Sequence, residues 1–219
     1  MPVDQNSLLA FCEFFRTRHP ELLNVFASTT DAEFDIGIEG LLECAVDHLE
    51  KNANHLATLK EDAISAFLVA FLNMPGLRVT QEAHSNGHVD ITIEAEHSPP
   101  LRRRLGEAKI YNGPVYHVQG LEQLLKRYTT GREGSGIIVE YVKQPAIRHL
   151  VNKVREHMDS TKPCSQNGTS IDHRIRWAFT TYHDHSSGES MRIVHVSCNL
   201  FNTAVSKPSE VPGRTGATT

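Results

Sequence analysis

The chain has 219 residues, 39% of them hydrophobic and 22% charged, with a formal net charge of −4. That is enough for one sizeable α/β domain, or a domain with a helical extension, and too little for two independent domains. The balance is that of a soluble globular protein, and the negative total excludes a molecule whose overall field attracts nucleic acid, so any such contact must come from a local basic face.

The longest apolar run, Ala63 to Leu72 broken by Ser65, is too short to span a bilayer, and no basic segment leads into an apolar one as in a secretion signal. Cys12, Cys44, Cys164 and Cys198 lie far apart without a Cys-x-x-Cys pair, which argues against a zinc site and a disulfide framework and for a reducing, cytoplasmic setting.

In chain order, helical spacing comes first. Leu8, Leu9, Phe11, Phe14 and Phe15, then Leu41, Leu42, Ala45, Val46 and Leu49, predict two or three helices within residues 1–57, an N-terminal extension and a candidate dimer or partner surface. A further helix is expected from Thr58, where Thr58-Leu59-Lys60-Glu61 has capping-box spacing, to a stop at Met74-Pro75-Gly76; its body is apolar nearly all round and should be buried. Beyond Gly76 the period shortens to two. Leu77 to Ala83, His88 to Ala95 and Arg104 to Tyr111 read as three consecutive strands, with a turn at Ser85-Asn86-Gly87. Tyr116 to Thr129 returns to helical spacing, Gly136 to Val142 is a buried strand, and Ala146 to Met158 is a helix. Ser160 to Ser170 is rich in Ser, Pro, Asn and Gly and reads as a loop; Arg174 to Tyr182 and Met191 to Asn199 make a final strand pair. Residues 58–206 thus form the core with its strand pair, and residues 207–219 a disordered tail.

The chemistry concentrates in the second and third strands. Val89, Ile91 and Ile93 alternate with Asp90, Thr92 and Glu94, so one face is apolar and the other acidic. On the next strand Glu107 and Lys109 share a face while Ala108 packs the other way. If the two strands pair antiparallel, Asp90 reaches the same polar face. Two carboxylates and an ammonium in one small site are costly to desolvate, and a hard divalent cation relieves the cost, binding through one or two carboxylates, waters and phosphate oxygens.

An acid on a helix, a strand Asp, a Glu-x-Lys on the following strand and a helix carrying Gln resemble the PD-(D/E)XK, or restriction-endonuclease-like, nuclease superfamily, over about Thr58 to Val142. The resemblance implies an α/β fold with a mixed-sheet core flanked by helices. It implies Asp90 and Glu107 as Mg²⁺ ligands (Mn²⁺ substituting) with the Ala108 carbonyl, Lys109 as the residue that orients or deprotonates the attacking water, Glu61 as the first-helix acid and Gln123 as the glutamine of the following helix. Two departures stand out: Val89 replaces the proline that often precedes the Asp, and Tyr128 falls five residues after Gln123, where the RecB-like branch has Gln-x-x-x-Tyr.

The activity expected is metal-dependent cleavage of DNA by a homodimer, with a restriction or anti-phage role implied by the resemblance and targeting supplied by loops or a partner protein. RNA as substrate, and a catalytically silent scaffold that binds a protein or nucleic acid, remain open. Lys126, Arg127 and Arg132 are the candidate phosphate contacts, whereas Arg102-Arg103-Arg104 reads as a solvated charge run. Glu61 has two uses open to it, metal site or capping box, with Asp62 as the alternative acid. His183-Asp184-His185 reads as a solvated turn.

Overall fold

A computed structural model describes residues 7–84, 88–96 and 101–203 of the chain. Among them, seven strands form one mixed sheet in the order β1-β2-β3-β4-β7-β6-β5. β1 (Leu77–His84), β2 (His88–Ala95) and β3 (Arg103–Ile110) make an antiparallel meander; β4 (Ser135–Val142) runs parallel to β3, and β7 (Ser190–Asn199) parallel to β4. β6 (Ala178–Asp184) and β5 (Gln166–Asp172) return antiparallel on the far edge. Every residue of β4 is buried, as a central parallel strand covered on both faces requires.

Two helical layers cover the sheet. On one side lie α3 (Asp31–Lys51) and α5 (Glu61–Leu72). Phe34, Ile38, Leu41, Ala45 and Leu49 of α3 and Ile64, Leu68 and Leu72 of α5 recur at helical spacing and pack with Ile91, Ile93, Ala108, Val139 and Val196 of the sheet. A capping box fixes the start of α3, with Thr30 accepting from Glu33 N–H and Glu33 reaching back. On the other side lie α6 (Pro114–Gln123) and α7 (Ile147–Thr161), whose Leu121, Val151, Val154 and Met158 join Leu105, Ile138, Phe179 and Ile193. α2 (Pro20–Ala27) crosses α3 at Gly37, where a Cβ would meet Val25 Cγ2 at 2.7 Å. α1 (Leu8–Arg18) buries none of its residues and exposes Leu8, Leu9, Phe11 and Phe14; α4 (Ala53–Leu56) is one short turn.

Several expectations change. The N-terminal segment is not set apart from the sheet, because α3 shares one continuous core with it. The arginine triplet is not a solvated run: Arg104 is 3% exposed, pairs with Asp35 and lies 5.3 Å over the Phe34 ring. Arg102 donates to the Ser28 and Thr29 carbonyls, and Arg103 to Glu133. Together they staple the start of β3 to the N-terminal helices and to the loop before β4.

The stretch from Ser160 to Ser170 holds the end of α7, a tight turn at Pro163–Ser165 and edge strand β5, whose mostly exposed residues leave no apolar alternation to read. The expected C-terminal pair is not appended to the core; β7 sits inside the sheet beside β4. α5 is not buried all round, since Phe67 is 54% and Phe71 38% exposed, with the Phe71 ring against His48 of α3. The turn Ser85-Asn86-Gly87 and the tail after residue 203 lie outside the described residues.

Arg104→Met strands the Asp35 carboxylate beside the core and is expected to cost about 3 kcal/mol in urea denaturation. The double variant Arg104→Met/Asp35→Leu should recover most of that loss.

Candidate active site

The β2–β3 ladder runs from the Glu94–Arg103 pair to Ile91–Gly106 and stops. Beyond that point side chains replace the missing strand. Asp90 Oδ2 accepts from Ala108 N–H at 3.0 Å, and Glu61 Oε2, from the first residue of α5, accepts from Ile110 N–H at 2.8 Å. Tyr111 N–H donates to Tyr141 O on the β4 side, so the even-numbered residues of β3 turn their backbone groups toward the β2 side, and the Ala108 carbonyl opens on the edge between the two acids. Because β2 no longer follows β3 there, Val89 packs into the α6/α7 core while Ile91 and Ile93 stay in the other.

Glu61 therefore does not close a capping box. α5 begins at Glu61 with Lys60 as an N-cap, whose ammonium has no acceptor to offer the first-turn N–H groups, and the Glu61 carboxylate is held by β3. Lys143 ties the preceding turn by donating to the Leu59 carbonyl. Asp62 stays out of the cluster; its carbonyl accepts from Gln81.

Lys109 stands at the centre. Its Nζ lies 2.7 Å from Glu107 Oε1 and 3.6 Å from both Asp90 Oδ2 and Glu61 Oε1. Three carboxylates around one ammonium leave an excess of negative charge, with Glu107 the buried member of the group. Burial, then the neighbouring Asp90 charge, push the Glu107 carboxyl up to about 7 despite its bond to Lys109. Burial alone would lower Lys109, but its bond to Glu107 and the three acidic charges hold it well above the usual range, firmly cationic. Glu107 is 1% exposed, and its Oε2 is buried without a hydrogen-bond partner.

α6 closes the site from above. A Cβ at Gly120 would lie 3.3 Å from Lys109 Cγ and 3.4 Å from Glu107 Cγ, so the absent side chain is what lets the helix rest on these two residues. Gln123 follows one turn later, its Oε1 buried and without a partner. The helix then widens into a π turn, Leu124–Tyr128, closed by Thr129 N–H donating to Leu124 O. A π turn takes up one extra residue. The five-residue spacing from Gln123 to Tyr128 is thereby drawn onto one face, and the Tyr128 phenol is held up by burial and then by the charges of Glu107 and Asp90.

The structure thus gathers Glu61, Asp90, Glu107, Ala108 and Lys109, with Gln123 one turn beyond Gly120 on α6; it adds Gly120, which the linear spacing had not singled out, and Tyr128, named there only as a departure. Lys126 and Arg127 are exposed on the π turn, Lys126 Nζ 3.0 Å from Glu122 Oε1. Arg132 does not join them. It precedes β4 in a depression of about 240 Å³ with Arg102, Arg103 and Arg104. Gly136 pairs with Leu105 there, two residues before Glu107 and four before Lys109, so Arg132 lies toward the far end of β3 from the Lys109 cluster.

A divalent cation fits the donor set. Among the described residues no three His, Cys, Asp or Glu side chains make a ready metal cluster, but two carboxylates, a carbonyl and waters suffice for Mg²⁺. The unpartnered Glu107 Oε2 is the kind of atom such an ion satisfies.

Glu107 keeps its proton up to about pH 7 in the folded chain and to about 4.5 ordinarily. The folded state binds more protons across that window, so stability falls as pH rises through it. Glu107→Gln removes this loss. In chelator, the variant should gain roughly 2–3 kcal/mol on the wild type between pH 4.5 and pH 8 by urea denaturation.

No family model matches the chain, and no curated protein or solved structure matches it.

Proposed function

We propose that the chain is a metal-dependent endonuclease that hydrolyses DNA phosphodiester bonds on a restriction-endonuclease-like core. The observation that carries this reading is the convergence of Glu61, Asp90 and Glu107 on Lys109 where the β2–β3 ladder ends, with Glu107 Oε2 buried and unpaired. Asp90, Glu107 and the Ala108 carbonyl would hold Mg²⁺. When bound, the ion supplies positive charge that makes a water a better nucleophile and offsets charge growing on the phosphate.

The chain's own residues do the rest. Lys109, kept cationic by its neighbours, donates hydrogen bonds that orient the attacking water and the phosphate and does not act as the base. Glu61 and Asp90 hold the edge of β3 in place through its N–H groups. Gln123, with Lys126 and Arg127 exposed beside it, positions the nucleic-acid backbone, a contact that carries no sequence information. The apolar residues exposed on α1 offer a surface for a second copy, which would bring one site to each strand of a duplex. No helix among the described residues is long and apolar enough to cross a membrane.

Purified protein is to be incubated with plasmid, linear and single-stranded DNA and with RNA, in Mg²⁺, Mn²⁺, Ca²⁺ or chelator. Cleavage of DNA is expected in Mg²⁺ and Mn²⁺, with binding but no turnover in Ca²⁺. Lys109→Met should lower the rate at least roughly a hundredfold, about 2.7 kcal/mol in the barrier, while DNA is still bound. Unchanged cutting in chelator overturns the metal reading, cutting of RNA alone moves the substrate, and binding without cutting makes the chain a scaffold.

A further inference from the structure

A row of buried polar groups crosses the same sheet face beneath α6 and plays no part in the proposed hydrolysis. Glu140 on β4, His117 on α6, His195 on β7, and Thr181 and His183 on β6 are each at most 2% exposed. His117 Nε2 lies 2.8 Å from His195 Nδ1, and Thr181 Oγ1 lies 2.7 Å from both His195 Nε2 and His183 Nε2. His183 Nδ1 is 3.1 Å from the Cys164 carbonyl, so this histidine does not sit in a solvated turn. At the other end Glu140 Oε1 is 2.9 Å from His117 Nδ1. Those two atoms are out of line for a hydrogen bond, and neither has another partner.

The carbonyl dictates the direction of every bond in the row. It can only accept, so His183 Nδ1 carries the hydrogen, and the Nε2 of that neutral ring accepts from the Thr181 hydroxyl. A hydroxyl has one proton to give, so Thr181 accepts from His195 Nε2–H. His195 Nδ1 must then accept from His117 Nε2–H. A neutral His117 would be left with a bare Nδ1 facing a carboxylate oxygen, two acceptors buried against each other, an arrangement that costs free energy unless a proton lies between them. Burial, with the neighbouring His117 and His183, holds His195 well below the ordinary histidine range, and burial lowers His183 too, in keeping with two neutral rings.

We propose that His117 and Glu140 bind one extra proton, as an imidazolium–carboxylate pair, and that this pair is a positioning element that ties the seating of α6 on the candidate site to pH. His117 precedes Gly120 by one helical turn, and Gly120 rests on Glu107 and Lys109. Glu140 is the strand partner of Lys109. The titratable and charged groups facing the pair are Glu107, Lys109 and Tyr111 from β3, His195 from β7, His183 from β6, Cys164 from the turn after α7, and Arg155 of α7 across the Phe179 ring that stacks on His195.

The linkage has a definite sign. Above about pH 6.5 an unfolded histidine has shed its proton, so the folded chain holds one more, and its folding constant drops by up to about tenfold per pH unit as pH rises. Below that value the neutral His183 and His195 work the other way, and stability falls as pH falls.

Two variants remove the need for the extra proton. In Glu140→Gln the carboxamide can donate to His117 Nδ1. In Thr181→Val, His195 is free to take the other tautomer and donate to His117 Nε2, which lets a neutral His117 donate to Glu140. Imidazole ¹⁵N NMR and urea denaturation of the full chain between pH 6.5 and 9 test this without any nuclease activity. In the wild type His117 should be doubly protonated at pH 7, and the Gly120 amide resonance should move with its titration. In both variants His117 should be singly protonated and that part of the stability slope absent. A singly protonated His117 in the wild type at pH 7, a slope unchanged in both variants, or a Gly120 amide that ignores the titration overturns the proposal.

Discussion

One ammonium holds together charges that would otherwise separate. Glu61, Asp90 and Glu107 come from a helix and two strands, and Lys109 Nζ, within 3.6 Å of all three, offsets their repulsion. The attraction is strongest at Glu107, which is fully buried beneath a helix that could not lie so close with a side chain at Gly120. β3 is hydrogen-bonded to β4 along its length, and β4 is buried throughout.

The two halves of β3 are put to different uses. Its first residues, Arg103 and Arg104, are bound to Glu133 and to Asp35 of α3, so the strand is anchored to the N-terminal layer. Its last residues face the acids. Glu39 of α3, paired with Arg192 and His173, makes a similar tie to β7 and the chain before β6. The sheet is thus cross-linked to α3 at β3 and β7, the two strands beside β4, and the acids around Lys109 sit where the ties to β3 end.

Much of this was legible in the sequence because strand alternation is a local property. Asp90, Glu107 and Lys109 could be assigned to one site from spacing alone, and Ala108 to the opposite face. What escaped depends on partners distant in the chain. Three consecutive arginines look solvated until Asp31, Asp35 and Glu133 are brought to them. β7 is recognisable as a strand, but nothing nearby says that it pairs with β4. β5 shows no alternation because an edge strand with mostly exposed residues needs none. The start of α5 was misplaced because the glutamate expected to cap it is claimed by Ile110 N–H. The π turn at Leu124–Tyr128 also escaped, because residue spacing alone does not tell a π turn from a continuing α-helix.

The hydrogen bonds that Asp90 and Glu61 accept from β3 give these acids a second tenure in the molecule. Were the proposed chemistry absent from some descendant of this chain, the N–H groups of Ala108 and Ile110 would still need acceptors where β2 leaves off. Selection for folding alone would then keep Asp, Asn, Glu or Gln at both positions, while Lys109 and Glu107, which accept nothing from the backbone edge, would drift together toward an apolar pair. In such a lineage the strand Asp would outlive the proposed activity, and the Glu-x-Lys would be the part whose survival records use.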